Sequence, residues 1–247
     1  MPPRDACALR PARGSPVRGA CARSAPGIAV SAPPPLVADA GLLAGLVLAW
    51  AGWGALHSLL AGARAKAWLA ARGPRWVRFE RLLYNAIALA TLAVPLAFLA
   101  VASGAPLWHT PPLLRTLADV AAAGAILAFL WTLRWYDGRA FLGLRAGPTR
   151  ATLVISPLHR WVRHPWYSLA LVLIWTREMD AAWLASAIAL TVYLVLGSRH
   201  EETALLREHG AAYREYAARV PALLPWRGCA LDARSAARLS QPGSRHA

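Results

Sequence analysis

The run "LVADAGLLAGLVLAWAGWGALHSLLA", residues 36–61, decides the fold. Its only ionisable groups are Asp39 near the outer end and His57 near the inner one. A helix rises about 1.5 Å per residue, so the run is long enough to cross a hydrocarbon core of about 30 Å. No water is available there to satisfy backbone groups, and a helix pairs them internally.

The rest of the chain supports this reading. It has 247 residues, 57% hydrophobic and 16% charged, with a mean hydropathy of +0.38. That is too apolar for an ordinary soluble domain. A second run covers residues 82–102, with Pro95 expected to kink it. A third covers 113–136 and a fifth 181–198. Between them "WYSLALVLIW" (166–175) is too short to cross alone as a straight helix. It reads best as the first arm of a helical hairpin that starts in polar sequence. The expected fold is an all-α integral membrane protein with about five transmembrane helices. The last two form the hairpin, and a cytoplasmic C-terminal helical lid follows. Residues 1–35, rich in Pro, Arg, Ala, Ser and Gly, read as a disordered tail, with the natural start expected nearer Val30 or Leu36. Residues 36–226 form the membrane domain, and 227–247 read as a second disordered tail.

The formal net charge is +15. It is spread over loops between apolar runs, so a basic surface on the cytoplasmic side fits it better than a nucleic-acid partner. The loops after runs one and three and the segment after run five are basic, which places the C-terminal segment in the cytoplasm, at a bacterial inner membrane, and the N-terminus outside. The arginines of the N-terminal tail run against that orientation. Cys7, Cys21 and Cys229 lie in the tails with no CxxC pair, so neither a disulfide framework nor a metal site is expected. Among the 12 tryptophans, Trp50, Trp108, Trp135 and Trp175 are expected at the membrane interfaces. Gly41, Gly45 and Gly52 offer small-residue spacing for close helix packing.

No GxGxxG after a strand, Walker loop, HExxH or GxSxG is present. A site must therefore come from helix ends and loops. Two clusters stand out: Arg163-His164-Pro165-Trp166-Tyr167, and Arg199-His200-Glu201-Glu202 followed by Gly210, Tyr213 and Tyr216. An antiparallel hairpin brings His164 and Tyr167 opposite Glu201 and Glu202. Such a pocket offers donors for a carboxylate, and acceptors for an ammonium group or ribose hydroxyls. Arg160 and Arg163 also read as anchors to anionic lipid. Glu201 and Glu202 also read as plain solvated acids, and His164 as a residue at the start of a helix whose first turn holds Pro165. His57, ionisable and within a span, is a functional candidate by default, or a neutral histidine bonded to a neighbouring helix. Asp137 and Arg139 read as loop residues. His159, His200 and His209 carry no specific signal.

"RHPWY" and "EETALLREHGAAYREYAARVPALLP" together resemble the C-terminal signature of the isoprenylcysteine carboxyl methyltransferase and phospholipid methyltransferase group. "LHSLLA", "RLLYN", "DGRAFLGLR" and "TREMDAAWLASAIALTVYL" are similar to its NnrU-like and methanethiol S-methyltransferase branch, so the resemblance covers residues 40–226. It implies S-adenosylmethionine as cofactor, held on the cytoplasmic side without a Rossmann fold. It implies binding by Arg163, His164, Pro165, Tyr167, Glu201, Glu202 and Tyr213, with Tyr216 matching the second tyrosine. Arg163 and Glu201 are the implied catalytic residues. Where the pattern has glycine this chain has Leu169, expected to narrow the passage beside the cofactor. The implied activity is methylation of a small or lipophilic thiol of the methanethiol type. The alternatives are a non-catalytic NnrU-like accessory protein, or an isoprenylcysteine carboxyl or phospholipid methyltransferase.

The chemistry suits that layout. Transfer of a methyl group from a sulfonium is an in-line displacement, which needs alignment more than covalent help. Exclusion of water favours it, because positive charge is lost from sulfur in the transition state. A thiol acceptor must react as its thiolate. The implied partners are the lipid bilayer and the thiol substrate.

Overall fold

The computed structural model describes residues 39–142, 144, 153–228 and 230–240. The N-terminal tail, with its expected disorder and start site, lies outside them, as do the three cysteines and residues 241–247.

Regular structure among the described residues is helical. Helix α1 spans Ala40–Ala61 and α2 spans Ala63–Ala70. Helix α3 runs Pro74–Ala102, and α4 runs Pro112–Thr132 with a short 3₁₀ extension over Leu133–Trp135. A single turn, α5, covers Gly138–Phe141. Then come α6 at Pro165–Trp175, α7 at Ala181–Arg219 and α8 at Ala233–Leu239. Four helices (α1, α3, α4 with its extension, and α7) are long and apolar enough to cross a membrane, and α6 is a shorter apolar helix. The protein is an all-α membrane protein.

Local chemistry sets the boundaries. Asp39 caps α1 by accepting the Gly41 amide at 2.7 Å, and Asp180 caps α7 by accepting from Trp183 at 2.6 Å. Asp180 also accepts the Gly104 amide at 3.1 Å, fastening the end of α3 to the start of α7. Helix α6 begins at Pro165, whose missing N–H costs nothing in a first turn. Helix α3 starts well before the apolar run, at Pro74, and continues through Pro95.

The core lies where α1 packs between α3 and α7, around Leu46, Trp50, Ala102 and Ala182. Gly45 presses on the Phe98 ring and Gly54 on Tyr193, so close that a methyl group at either would collide with it. Gly52 meets no neighbour and has no packing role. Trp50 is not an interfacial residue. It is buried, and its indole donates to Ser186 Oγ at 2.9 Å. Trp108 and Trp175 are exposed near helix ends, as expected.

The hairpin reaches across in an uneven way. From Ala181 to Glu201, α7 rises about 30 Å, whereas the 11 residues of α6 rise only about 16 Å. Residues 176–180 connect the two helices. Helix α6 packs chiefly against α4.

Helix α7 changes direction at Gly210, whose φ of 56° and ψ of −120° are open to glycine and strained for other residues. The expected lid is therefore the second half of α7. The expectation of a disordered tail beyond Trp226 does not hold over Leu231–Leu239. Asp232 caps α8, and Leu231, Ala236 and Leu239 join Tyr213, Tyr216 and Val220 in a second buried cluster. Three apolar residues, Leu231, Ala236 and Leu239, without a clear helical repeat were too weak a signal to read from sequence.

Candidate functional site

Backbone pairing brings the two conspicuous segments together. The Arg163 amide donates to Pro221 O at 2.8 Å and the His164 amide to Ala222 O at 3.0 Å. Ser168 Oγ donates to Leu223 O at 2.6 Å, and Tyr216 OH to His159 O at 2.6 Å. The Leu231 amide donates to Arg160 O at 2.8 Å, and Arg160 Nε donates to Leu231 O at 2.5 Å. The lid thus holds the polar entry to α6 in place.

Arg163 is used up by this architecture. Nε and Nη2 donate to Glu202 Oε1 at 2.8 and 2.5 Å, and Nη1 donates to Ala217 O and Val220 O at 3.1 and 2.5 Å. Its side chain is 12% exposed. His164, buried, stands between the two acids. Nε2 lies 3.1 Å from Glu202 Oε1 and Nδ1 lies 3.3 Å from Glu201 Oε2. An imidazolium donates to both carboxylates, a neutral ring to one. The ring stacks on Tyr167 with centroids 5.5 Å apart and planes 12° from parallel. Glu201 stays 48% exposed despite facing His164.

These groups open on a cavity of about 590 Å³. Arg163, His164, Pro165, Tyr167 and Glu201 line it. Glu202 and Tyr213 do not, and stand behind it as supports. The Tyr213 hydroxyl is buried without a hydrogen-bond partner, and its ring meets Tyr216 edge-on at 5.9 Å. Leu169 is also absent from the lining, because two residues past Tyr167 a helix presents nearly its opposite face. Asp137 accepts the Arg139 amide at 3.1 Å, and both residues lie off the lining.

Of the opposite wall, only His57 was a candidate from the sequence. That wall comes from the ends of α1 and α3, through His57, Leu60, Glu80, Arg81, Tyr84 and Asn85. Tyr84 hydrogen-bonds His57 Nε2. The signal was present, since "LHSLLA" and "RLLYN" are the segments shared with the family branch, but nothing in them says that they face "RHPWY". His159 also belongs to the cavity. Its Nδ1 pairs with Ser156 Oγ at 2.8 Å and its Nε2 lies 3.5 Å from Tyr136 OH. Burial first, and then the nearby His164, push His159 down to about 4, while Glu201 acts in the other direction. Burial also raises the Tyr136 phenol.

Fold and site together define an integral membrane protein with a mixed-charge ligand cavity built from helix ends. Comparison with known proteins supplies the family. The chain is 32% identical over 192 residues to methanethiol S-methyltransferase 1 of Bradyrhizobium diazoefficiens, covering 69% of this chain and 62% of that one. It is 30% identical over 196 residues to methanethiol S-methyltransferase of Mycobacterium tuberculosis, covering 69% and 72%. A shorter match, 39% over 81 residues, links it to methanethiol S-methyltransferase of Pseudomonas deceptionensis, covering 32% and 31%. The chain belongs to the methanethiol S-methyltransferase family. The aligned part is under two thirds of the Bradyrhizobium protein. No family model and no solved structure matches the chain.

Proposed function

We propose that the protein methylates a small thiol of the methanethiol type, with S-adenosylmethionine as methyl donor. The observation that carries this is one cavity, at the end of an apolar helix bundle, shared by His164, Tyr167 and Glu201 on one side and His57 and Tyr84 on the other. The relatives' names support thiol methylation.

The residues fit the cofactor. A volume of about 590 Å³ lies in the range of small-molecule sites. Glu201 offers a carboxylate for an ammonium group or a ribose diol, and Lys66 and Arg81 on the same lining offer charge for the cofactor's carboxylate. The faces of Tyr136, Trp166 and Tyr167 suit a sulfonium or a purine ring. When bound, the cofactor supplies an electrophilic methyl group. The chain's own residues then bind and orient. His164 holds Glu201, Glu202 holds His164 and is itself held by Arg163, and Trp166 is fixed by donating to buried Thr132 at 2.8 Å. In this reading Arg163, Glu202 and Tyr213 act through the residues that they position. The basic loops support a cavity on the cytoplasmic side of a bacterial inner membrane.

The test is purification in detergent, titration with S-adenosylmethionine by calorimetry, and headspace detection of dimethyl sulfide from methanethiol. Binding and product formation are expected. A wild-type protein that binds no S-adenosylmethionine overturns the reading.

A further inference from the structure

A thiol must lose its proton before or as its sulfur attacks, since the thiolate is the nucleophile. The carboxylates and histidines on or beside the cavity could take that proton, and all but one are committed elsewhere: Glu80 pairs with Lys66 at 3.6 Å, and His164 stands between Glu201 and Glu202. Glu201 already faces His164 Nδ1 at 3.3 Å. Glu202 is clamped by two nitrogens of Arg163 and faces His164 Nε2. His159 has both ring nitrogens facing hydroxyls, Ser156 at 2.8 Å and Tyr136 at 3.5 Å.

What remains is the pair His57–Tyr84. Both residues line the cavity, beside the apolar Leu60 and Ala61. His57 Nε2 is bonded to the Tyr84 hydroxyl, while His57 Nδ1 is buried with no hydrogen-bond partner. A structural histidine inside a membrane is expected to have both nitrogens satisfied. The ring is held sideways by Trp53 at 5.0 Å, Tyr84 at 4.6 Å and Tyr193 at 6.1 Å between centroids. Its orientation is therefore fixed by packing, and both members of the pair line the cavity. Tyr84 and Tyr167 line the same cavity. A small acceptor at Tyr84 and a cofactor beside Tyr167 and Glu201 would thus be neighbours.

We propose that Tyr84 and His57 form the proton acceptor for the thiol, Tyr84 touching the substrate and His57 standing behind it. The S–H bond breaks and its proton passes to the Tyr84 oxygen, while the phenol proton passes to His57 Nε2. The sulfur lone pair forms the new bond to the methyl carbon. The bond from that carbon to the sulfonium breaks, and its electron pair stays on the cofactor sulfur. The proton on His57 is released to solvent after product leaves. This rests on the thiol-methylating reading above.

The test compares wild type with Tyr84→Phe and His57→Ala on two acceptors. Methanethiol is protonated at neutral pH; an aryl thiol such as thiophenol is largely ionised there and needs no base. Both variants are expected to lose about 100-fold in kcat/KM on methanethiol and no more than about threefold on thiophenol. Calorimetry is expected to find S-adenosylmethionine binding unchanged in both. Equal losses on the two thiols, or full methanethiol activity in Tyr84→Phe, overturn the proposal. A wild type that binds the cofactor but methylates neither thiol overturns instead the reading on which it rests.

Discussion

At the scale of single residues, adjacent acids in the sequence do different work. Glu201 is on the cavity and half exposed, whereas Glu202 neutralises a guanidinium that is 12% exposed. Glu202→Ala leaves that charge uncompensated and is expected to lower stability by about 3 kcal/mol, read as a drop in the detergent unfolding midpoint. Glu201→Ala is expected to leave that midpoint within about 0.5 kcal/mol and to weaken S-adenosylmethionine binding about tenfold, since it removes a partly exposed carboxylate. "EE" shows two acids in the sequence, and only the position of Arg163 tells them apart. His159 has a pH signature of its own. Its folded value of about 4 lies below the ordinary histidine value of 6.5, so the unfolded chain binds more protons between the two. The stability it contributes is present above pH 6.5 and is lost as pH falls toward 4. His159→Gln is expected to flatten that part of the curve of unfolding midpoint against pH.

At the scale of elements, the instructive case is α7. Its apolar half was legible from hydropathy alone, because a span advertises itself by length. Its polar half was legible only as a charged segment with a glycine in it. The chain turns at Gly210, where the backbone enters a region closed to other residues while nothing crowds the site. Gly210→Ala is therefore expected to cost about 2 kcal/mol through backbone strain alone, seen as a lower unfolding midpoint. The short α6 was also legible, since ten apolar residues cannot cross a bilayer. That it leans chiefly on α4 rather than on α7 was not, because an apolar helix carries no record of which neighbour it meets.

At the scale of the whole molecule, the site is held from outside by a segment that looked like a tail. Helix α8 supplies Leu231 and Leu239 to the cluster around Tyr213, Tyr216 and Val220, and Leu231 pairs with Arg160 beside the cavity. Ending the chain after Trp226 removes both leucines. It is expected to cost about 3 kcal/mol of burial and to weaken cofactor binding, measured by thermal unfolding and calorimetry on the truncated protein. The sequence by itself determined the membrane class, the number and approximate limits of the apolar helices, and the pairing of "RHPWY" with the acids after the last span. Those follow from hydropathy and chain connectivity, which are local or nearly so. Only the tertiary structure decided that Arg163 is a clamp rather than a free charge, and that α8 is ordered. It alone brought the ends of α1 and α3, with His57 and Tyr84, round to close the cavity. Contacts between helices far apart in the chain depend on which faces pack, and in an apolar medium many faces look alike.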